Sequence, residues 1–205
     1  MARTGRPRGF DRDQAVDQAM MLFWQHGYES TSLAQLKEGM GGISAPSFYA
    51  AFTSKEALFQ EVIARYLATH GRANAGLHDA SVAPRSAIEQ TLRNSAKMQT
   101  DRSHPAGCLM VLSGATCSKE SEQLQKMLAE DRTRNRKGFD NCVRRAIEAG
   151  ELPASTHAAA LATMFDAFLQ GMSIQAREGT SLAKLNASIT QVMSIWDCLA
   201  KPVLH

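Results

Sequence analysis

Residues 31–59, TSLAQLKEGMGGISAPSFYAAFTSKEALF, decide the fold of this chain. Thr31 and Ser32 are N-cap residue types, and Ser32 with Gln35 has the spacing of a capping box. A helix therefore opens there and runs to about Gly39, with Leu33, Leu36 and Met40 as its apolar stripe. Gly41 and Gly42 follow, and adjacent glycines at a helix end reverse the chain at little steric cost. Ser44 caps a second helix with Pro46 in its first turn, where a missing N–H leaves no hydrogen bond unmade. That helix ends near Phe52. Thr53 and Glu56 read as another capping box, ahead of the apolar run Leu58, Phe59, Val62, Ile63, Tyr66 and Leu67.

Two short helices joined by a glycine turn make a helix-turn-helix, whose second helix normally lies in the DNA major groove. The same corner also occurs as a purely structural element, so its spacing alone leaves both readings open. The wording S-x-P-S-F-Y-A-A-F-x-S-K-E-A-L, residues 44–58, resembles the signature of the tetracycline-repressor-type (TetR) transcriptional regulators. The resemblance is strongest over about residues 10–60. It implies that Tyr49 and Lys55 contact phosphates and that Ser44, Ala45, Pro46 and Ser47 make base-edge and backbone contacts, with Thr31 in the same DNA-contact set. Two positions depart from the family pattern. Gly41-Gly42 lengthens the turn by one residue, and Lys37 stands where the family prefers a small side chain.

The 205 residues suffice for one or two domains with a sizeable core, and 44% hydrophobic content with six prolines indicates a mostly helical globular chain. No apolar run approaches the ~20 residues of a membrane span, and the basic N-terminus is followed by no apolar signal core. A cytoplasmic location is expected. Cys108, Cys117, Cys142 and Cys198 have no C-x-x-C spacing, so neither a metal site nor a disulfide framework is indicated. No cofactor is expected. His104 and Cys108 are four apart, but with Pro105 and Gly107 between them they need not share the helical face that a thiol–imidazole pair or half a metal site would use. No catalytic constellation emerges, and the chain is read as a non-enzyme.

The net charge of +3 is too small to argue for nucleic acid, but its distribution says more. Residues 1–9 form a basic arm in which Gly5, Pro7 and Gly9 deny a helix, leaving Arg3, Arg6 and Arg8 extended and suited to a narrow minor groove; the alternative is a solvated basic tail. Asp11 with Gln14 opens a helix to about His26, buried through Ala15, Ala19, Leu22 and Phe23 and closed by Gly27. Residues 10–70 then form the reading domain with its connecting helix, the helix-turn-helix occupying about 32–52. Residues 71–205 form a larger helical domain, giving an all-α protein of about nine helices.

In that larger domain, the stretch after Leu67 reads as a frayed helix end and a loop, and Pro84 opens a helix to about Thr100. CLMVLSGA reads as a short helix buried all round, with Cys108 and Cys117 flanking it ~13 Å apart, too far for a disulfide. A long amphipathic helix covers Ser118–Glu148. Its basic residues, Arg132, Arg134, Arg136, Lys137, Arg144 and Arg145, are balanced by Glu130, Asp131 and Asp140 and read as a solvated face.

Leu161, Phe165, Phe168 and Met172, then Leu182, Leu185, Ile189, Val192, Trp196 and Leu199, recur at heptad-like spacing on the last two helices. Such seams pack as half of a four-helix bundle, which a second copy completes in the resembled family. Leu161, Phe168, Met172, Leu182, Leu185, Ile189, Val192 and Trp196 are therefore the expected dimer interface. The alternative is that both seams face their own subunit's core.

The function expected from the resemblance is a homodimeric repressor on double-stranded operator DNA, released by a small-molecule effector. Met98, Cys108, Phe139, Phe165 and Phe168 are candidate lining residues of the effector pocket. Two alternatives remain: a helical binding protein or enzyme with a merely structural helix-turn-helix, and a regulator that senses thiol oxidation through Cys108.

Overall fold

The computed structural model describes residues 11–116 and 121–200. Arg3, Arg6 and Arg8 of the arm, Cys117 and the last five residues lie outside them. Among the described residues every regular element is a helix. The order is α1 (Arg12–His26), α2 (Leu33–Gly39), α3 (Ala45–Phe52), α4 (Lys55–Ala68), a 3-10 helix (His70–His78), α5 (Pro84–Gln99), α6 (Leu109–Thr116), α7 (Glu122–Glu148), α8 (Ala158–Arg177) and α9 (Leu182–Ala200).

Local chemistry sets the boundaries that matter for the site. The capping box of α2 is complete, with Ser32 Oγ accepting from Gln35 N and the Gln35 side chain accepting from Ser32 N at 2.8 Å. At α1 only half of the expected box forms: Asp11 Oδ1 accepts from Gln14 N at 3.0 Å. Gly41 (φ 85°) and Gly42 (φ 76°) both take the left-handed region, and their amides return to Glu38 O and Lys37 O. That is why the longer turn still closes.

The cap of α4 differs from the sequence reading. Ser54, not Thr53, is the N-cap and accepts from Ala57 N at 3.0 Å. Thr53 instead has φ 64° and ψ −49°, and Ser54 N donates to Phe52 O at 2.6 Å. This is the rare positive-φ γ-turn, a strained conformation for a β-branched residue.

α1 to α4 bury Val16, Phe23, Trp24, Leu36, Phe48, Phe52, Leu58, Phe59 and Tyr66 together, each large side chain contributing about 1.5–3 kcal/mol. Leu109 and Met110 of α6 and Leu124 and Leu128 of α7 belong to this same core. The reading head is thus packed against the larger domain rather than strung from it. Arg65 of α4 reinforces α1 by bridging Asp13 at 2.5 Å and Asp17 at 2.9 Å.

The second core joins Leu77 of the 3-10 helix to α5, α7, α8 and α9. Three expectations are corrected here. The stretch after α4 is an ordered 3-10 helix with Leu77 buried, not a frayed end and loop. α6 is not buried all round: Leu109, Met110 and Ser113 are buried, whereas Val111, Leu112 and Gly114 are half-buried. Most of the heptad-like seam faces its own subunit. Leu161, Met172, Leu185, Ile189 and Trp196 are buried against Phe139, Phe165 and α5, while Phe168, Leu182 and Val192 are only partly covered. The apolar spacing makes a continuous stripe, and α5 and α7 supply the surface that covers it.

Candidate nucleic-acid interface and the cavity behind it

The second helix of the motif, α3, is divided cleanly between two environments. Phe48 and Phe52, one turn apart, are buried at 0% and 2% exposure and anchor the helix. Ser44, Pro46, Ser47, Tyr49 and Ala50 are exposed, and Ala45 is half-buried. Ser44 Oγ accepts from Ser47 N at 3.2 Å and lies 2.9 Å from Ser47 Oγ, so the two hydroxyls stand together at the helix start. Tyr49 is 51% exposed, its ring meeting Phe48 edge-on at 5.5 Å. A large aromatic held outward beside two hydroxyls and a helix N-terminus offers a hydroxyl donor and free backbone N–H groups to an anionic surface.

Lys55 opens α4 beside this face. Its Nζ sits 4.4 Å over the Tyr28 ring and donates to Glu29 O at 3.4 Å. Arg12, the first residue of α1, serves the scaffold: its guanidinium reaches Glu61 at 2.5 Å, covers the Phe52 ring at 5.0 Å and donates to Ala51 O. Thr31 is a correction. It is fully buried, and its hydroxyl donates to Gly27 O at 2.6 Å, so it closes the α1–α2 link and presents nothing to DNA.

Behind the reading head lies a cavity of about 300 Å³ between the end of α4, the 3-10 helix and α5 to α8. Its wall includes Tyr66, His70, Met98, Gln99, Cys108, Met110, Val111, Asp131, Arg132, Asn135, Asp166, Leu169 and Gln170. Met98 and Cys108 are there as expected. Phe139 and Phe165 are not, being wholly buried in the second core, and Phe168 packs against that core as well. Sequence reasoning missed the polar wall. Asp131 and Asp166 sat on what read as a solvated helix and an apolar seam, and only the packing of α7 on α8 turns them inward.

Tyr66 Oη donates to Cys108 Sγ at 3.2 Å. Desolvation, then the nearby Cys108, pushes the Tyr66 hydroxyl well above its usual range. Burial also pushes the Cys108 thiol up, against opposing hydrogen bonds from Tyr66 and the amides of Val111 and Met110. The thiol is therefore kept protonated at neutral pH, the opposite of the lowered pKa that marks a reactive cysteine. His104 does not pair with Cys108 but stacks on Trp24, ring centroids 4.3 Å apart. Cys117, the other cysteine flanking α6, lies outside the described residues.

The cavity and the reading head share side chains. Trp24 of α1 meets Tyr66 and His70 edge-on at 5.0 and 4.9 Å, and both line the cavity. Arg177 at the end of α8 donates to the carbonyls of Trp24, Gln25 and Ala106.

Comparison with known proteins agrees with this architecture. Residues 15–62 match the family described as bacterial regulatory proteins, tetR family, and residues 84–192 match the tetracyclin repressor-like C-terminal domain. The chain is 38% identical over 200 residues to the HTH-type transcriptional repressor ComR of Escherichia coli K12, covering 96% of this chain and 94% of that one. It is 29% identical to the repressor BdcR of the same organism, over 90% and 88% of the two chains. A solved structure of a cysteine mutant of the TetR family regulator CifR, complexed with 26-bp double-strand operator DNA, superposes with a TM-score of 0.83. Its identity is 40%, and the match covers 93% of this chain and all of that one. The chain therefore belongs to the tetR family of bacterial regulatory proteins.

Proposed function

We propose that this protein is a homodimeric transcriptional repressor that reads operator DNA with the exposed face of α3 and leaves it when a small molecule fills the cavity. The observation that carries the reading is the division of α3, with Phe48 and Phe52 anchored and Ser44, Pro46, Ser47 and Tyr49 held outward at a capped N-terminus. Tyr49 and Lys55 take phosphates, which position the head. Ser44, Ala45, Pro46 and Ser47 meet base edges and backbone, and Arg3, Arg6 and Arg8 reach the adjacent minor groove. The boundary near residue 70 separates reading from sensing.

The dimer face is assigned to the outer sides of α8 and α9. Ile174, Ile195 and Leu199 are exposed at 54%, 40% and 36%, beside the partly covered Phe168, Leu182 and Val192. A second copy covers these side chains and pairs two heads on a pseudo-palindrome. Sequencing genomic fragments retained by the purified protein tests the whole reading. Recovery of one palindromic motif, with affinity falling steeply with salt, is expected; salt-insensitive or motif-free retention would overturn it.

A further inference from the structure

We infer that the cavity takes a small organic anion, one carboxylate on an apolar body, and that Arg132 holds the carboxylate. The inference deepens the effector reading and rests on it.

Charge decides the ligand class. Asp131 and Asp166 both face the cavity, with side chains only 10% and 5% exposed, and each already has a guanidinium. Arg134 lies 2.5 Å from Asp131 Oδ1; Arg136 lies 3.1 Å from Asp166 Oδ2, which also accepts from Gln170 at 2.9 Å. These two pairs cancel. Arg132 stands on the same wall with no carboxylate in salt-bridge distance among the described residues, and its Nη1 is shut from solvent without a hydrogen-bond partner. Arg72 also lines the cavity but is exposed, so water satisfies it.

A guanidinium N–H withdrawn from water and left unpaired is costly, and a carboxylate is the partner whose geometry it fits. Nη1 itself packs against Gly114 of α6, where a Cβ would fall 2.1 Å from it, so a carboxylate in the cavity has to draw the guanidinium away from α6. Gln99, 2% exposed, also borders the cavity, and its amide oxygen is shut from solvent without a partner. Met98, Met110, Val111 and Leu169 supply the apolar remainder, and methionines adapt to varied shapes. At about 300 Å³ the cavity sits at the lower end of small-molecule sites. A cationic ligand would have to displace Arg134 or Arg136 from a carboxylate it already holds.

The test uses the full-length protein and calorimetric titration with matched probes: benzoate, benzamide and benzylammonium, then hexanoate, hexanamide and hexylammonium. At least one carboxylate is expected to bind about tenfold more tightly than its amide and amine, the scale of one charge-assisted hydrogen bond. Arg132→Gln, shown folded by an unchanged melting curve, should lose about tenfold for the carboxylate and leave the amide unchanged. No preference for either carboxylate, no binding by any probe, or equal binding by Arg132→Gln would overturn the inference. Carboxylate binding that leaves operator affinity unaltered would uphold the ligand class and sink the effector role. Operator binding with indifference to both acids would do the reverse to the ligand class and leave the DNA reading standing.

Discussion

The indole N–H of Trp24 donates to the carbonyl of Gly107 at 3.2 Å, across 83 residues of chain. Gly107 has φ 86°, and a Cβ there would fall 2.8 Å from Ser173 O of α8, so its backbone is wedged between the reading head and the larger domain. The next residue, Cys108, lines the cavity. A ligand that moves this segment moves α1. Trp24→Phe should keep a ring at this position but lose the hydrogen bond and part of the buried indole, costing about 1–3 kcal/mol, whereas Trp24→Ala should cost about 3–5 kcal/mol. Urea denaturation checks both, and a Phe variant as stable as the wild type would remove the bond's separate role.

Thr53 holds a positive-φ γ-turn at the hinge between α3 and α4. Such strain is worth of order 1–3 kcal/mol, partly offset for glycine by its freer unfolded chain. Thr53→Gly should therefore stabilise the protein by about 1 kcal/mol. A lowered denaturation midpoint would show that the turn is not strained.

Tyr49→Ala and Lys55→Ala should weaken binding to operator and non-operator DNA nearly alike, since phosphate contacts carry no sequence information. Lys55→Ala should also reduce the salt slope by about one. Changes at Ala45 or Ser47 should instead alter sequence preference. An unchanged affinity and slope for Lys55→Ala would leave the lysine as a cap on Tyr28 and Glu29.

Ile174→Asp with Ile195→Asp should give folded monomers, because both side chains are exposed in the single chain. Ile189→Asp should unfold it, placing a carboxylate where exposure is 0%. Light scattering and circular dichroism distinguish the outcomes, and a folded Ile189→Asp monomer would return that residue to the interface.

His70 is held below an ordinary histidine pKa by desolvation and then by His104, 4.6 Å away, with Asp101 opposing. The unfolded chain therefore takes up the proton first as pH falls. The stability that depends on neutral His70 is complete above about pH 6.5 and is lost as pH drops through that value towards the folded pKa. His70→Asn should flatten the fall in melting temperature between about pH 7 and 5, and an unchanged slope would exclude His70 as its source.

The sequence by itself determined whatever depends on a few neighbouring residues. Ser32, Ser44 and the glycine pair fixed the α2–turn–α3 geometry because caps and positive-φ turns act within four residues. The alternation of Phe48 and Phe52 with Ser47 and Tyr49 likewise left α3 only one face to expose. Tertiary structure decided the rest. Thr31 is a plausible surface hydroxyl until α1 folds back over it. The stripe Leu185, Ile189 and Trp196 is apolar whichever helix covers it, and only the arrival of α5 and α7 settles that it faces inward. The cavity's polar wall is made by Gln99, Arg132 and Asp166, which lie on three helices and up to 67 residues apart in the chain. Periodicity shows that a face is apolar; it carries no information about which surface meets it.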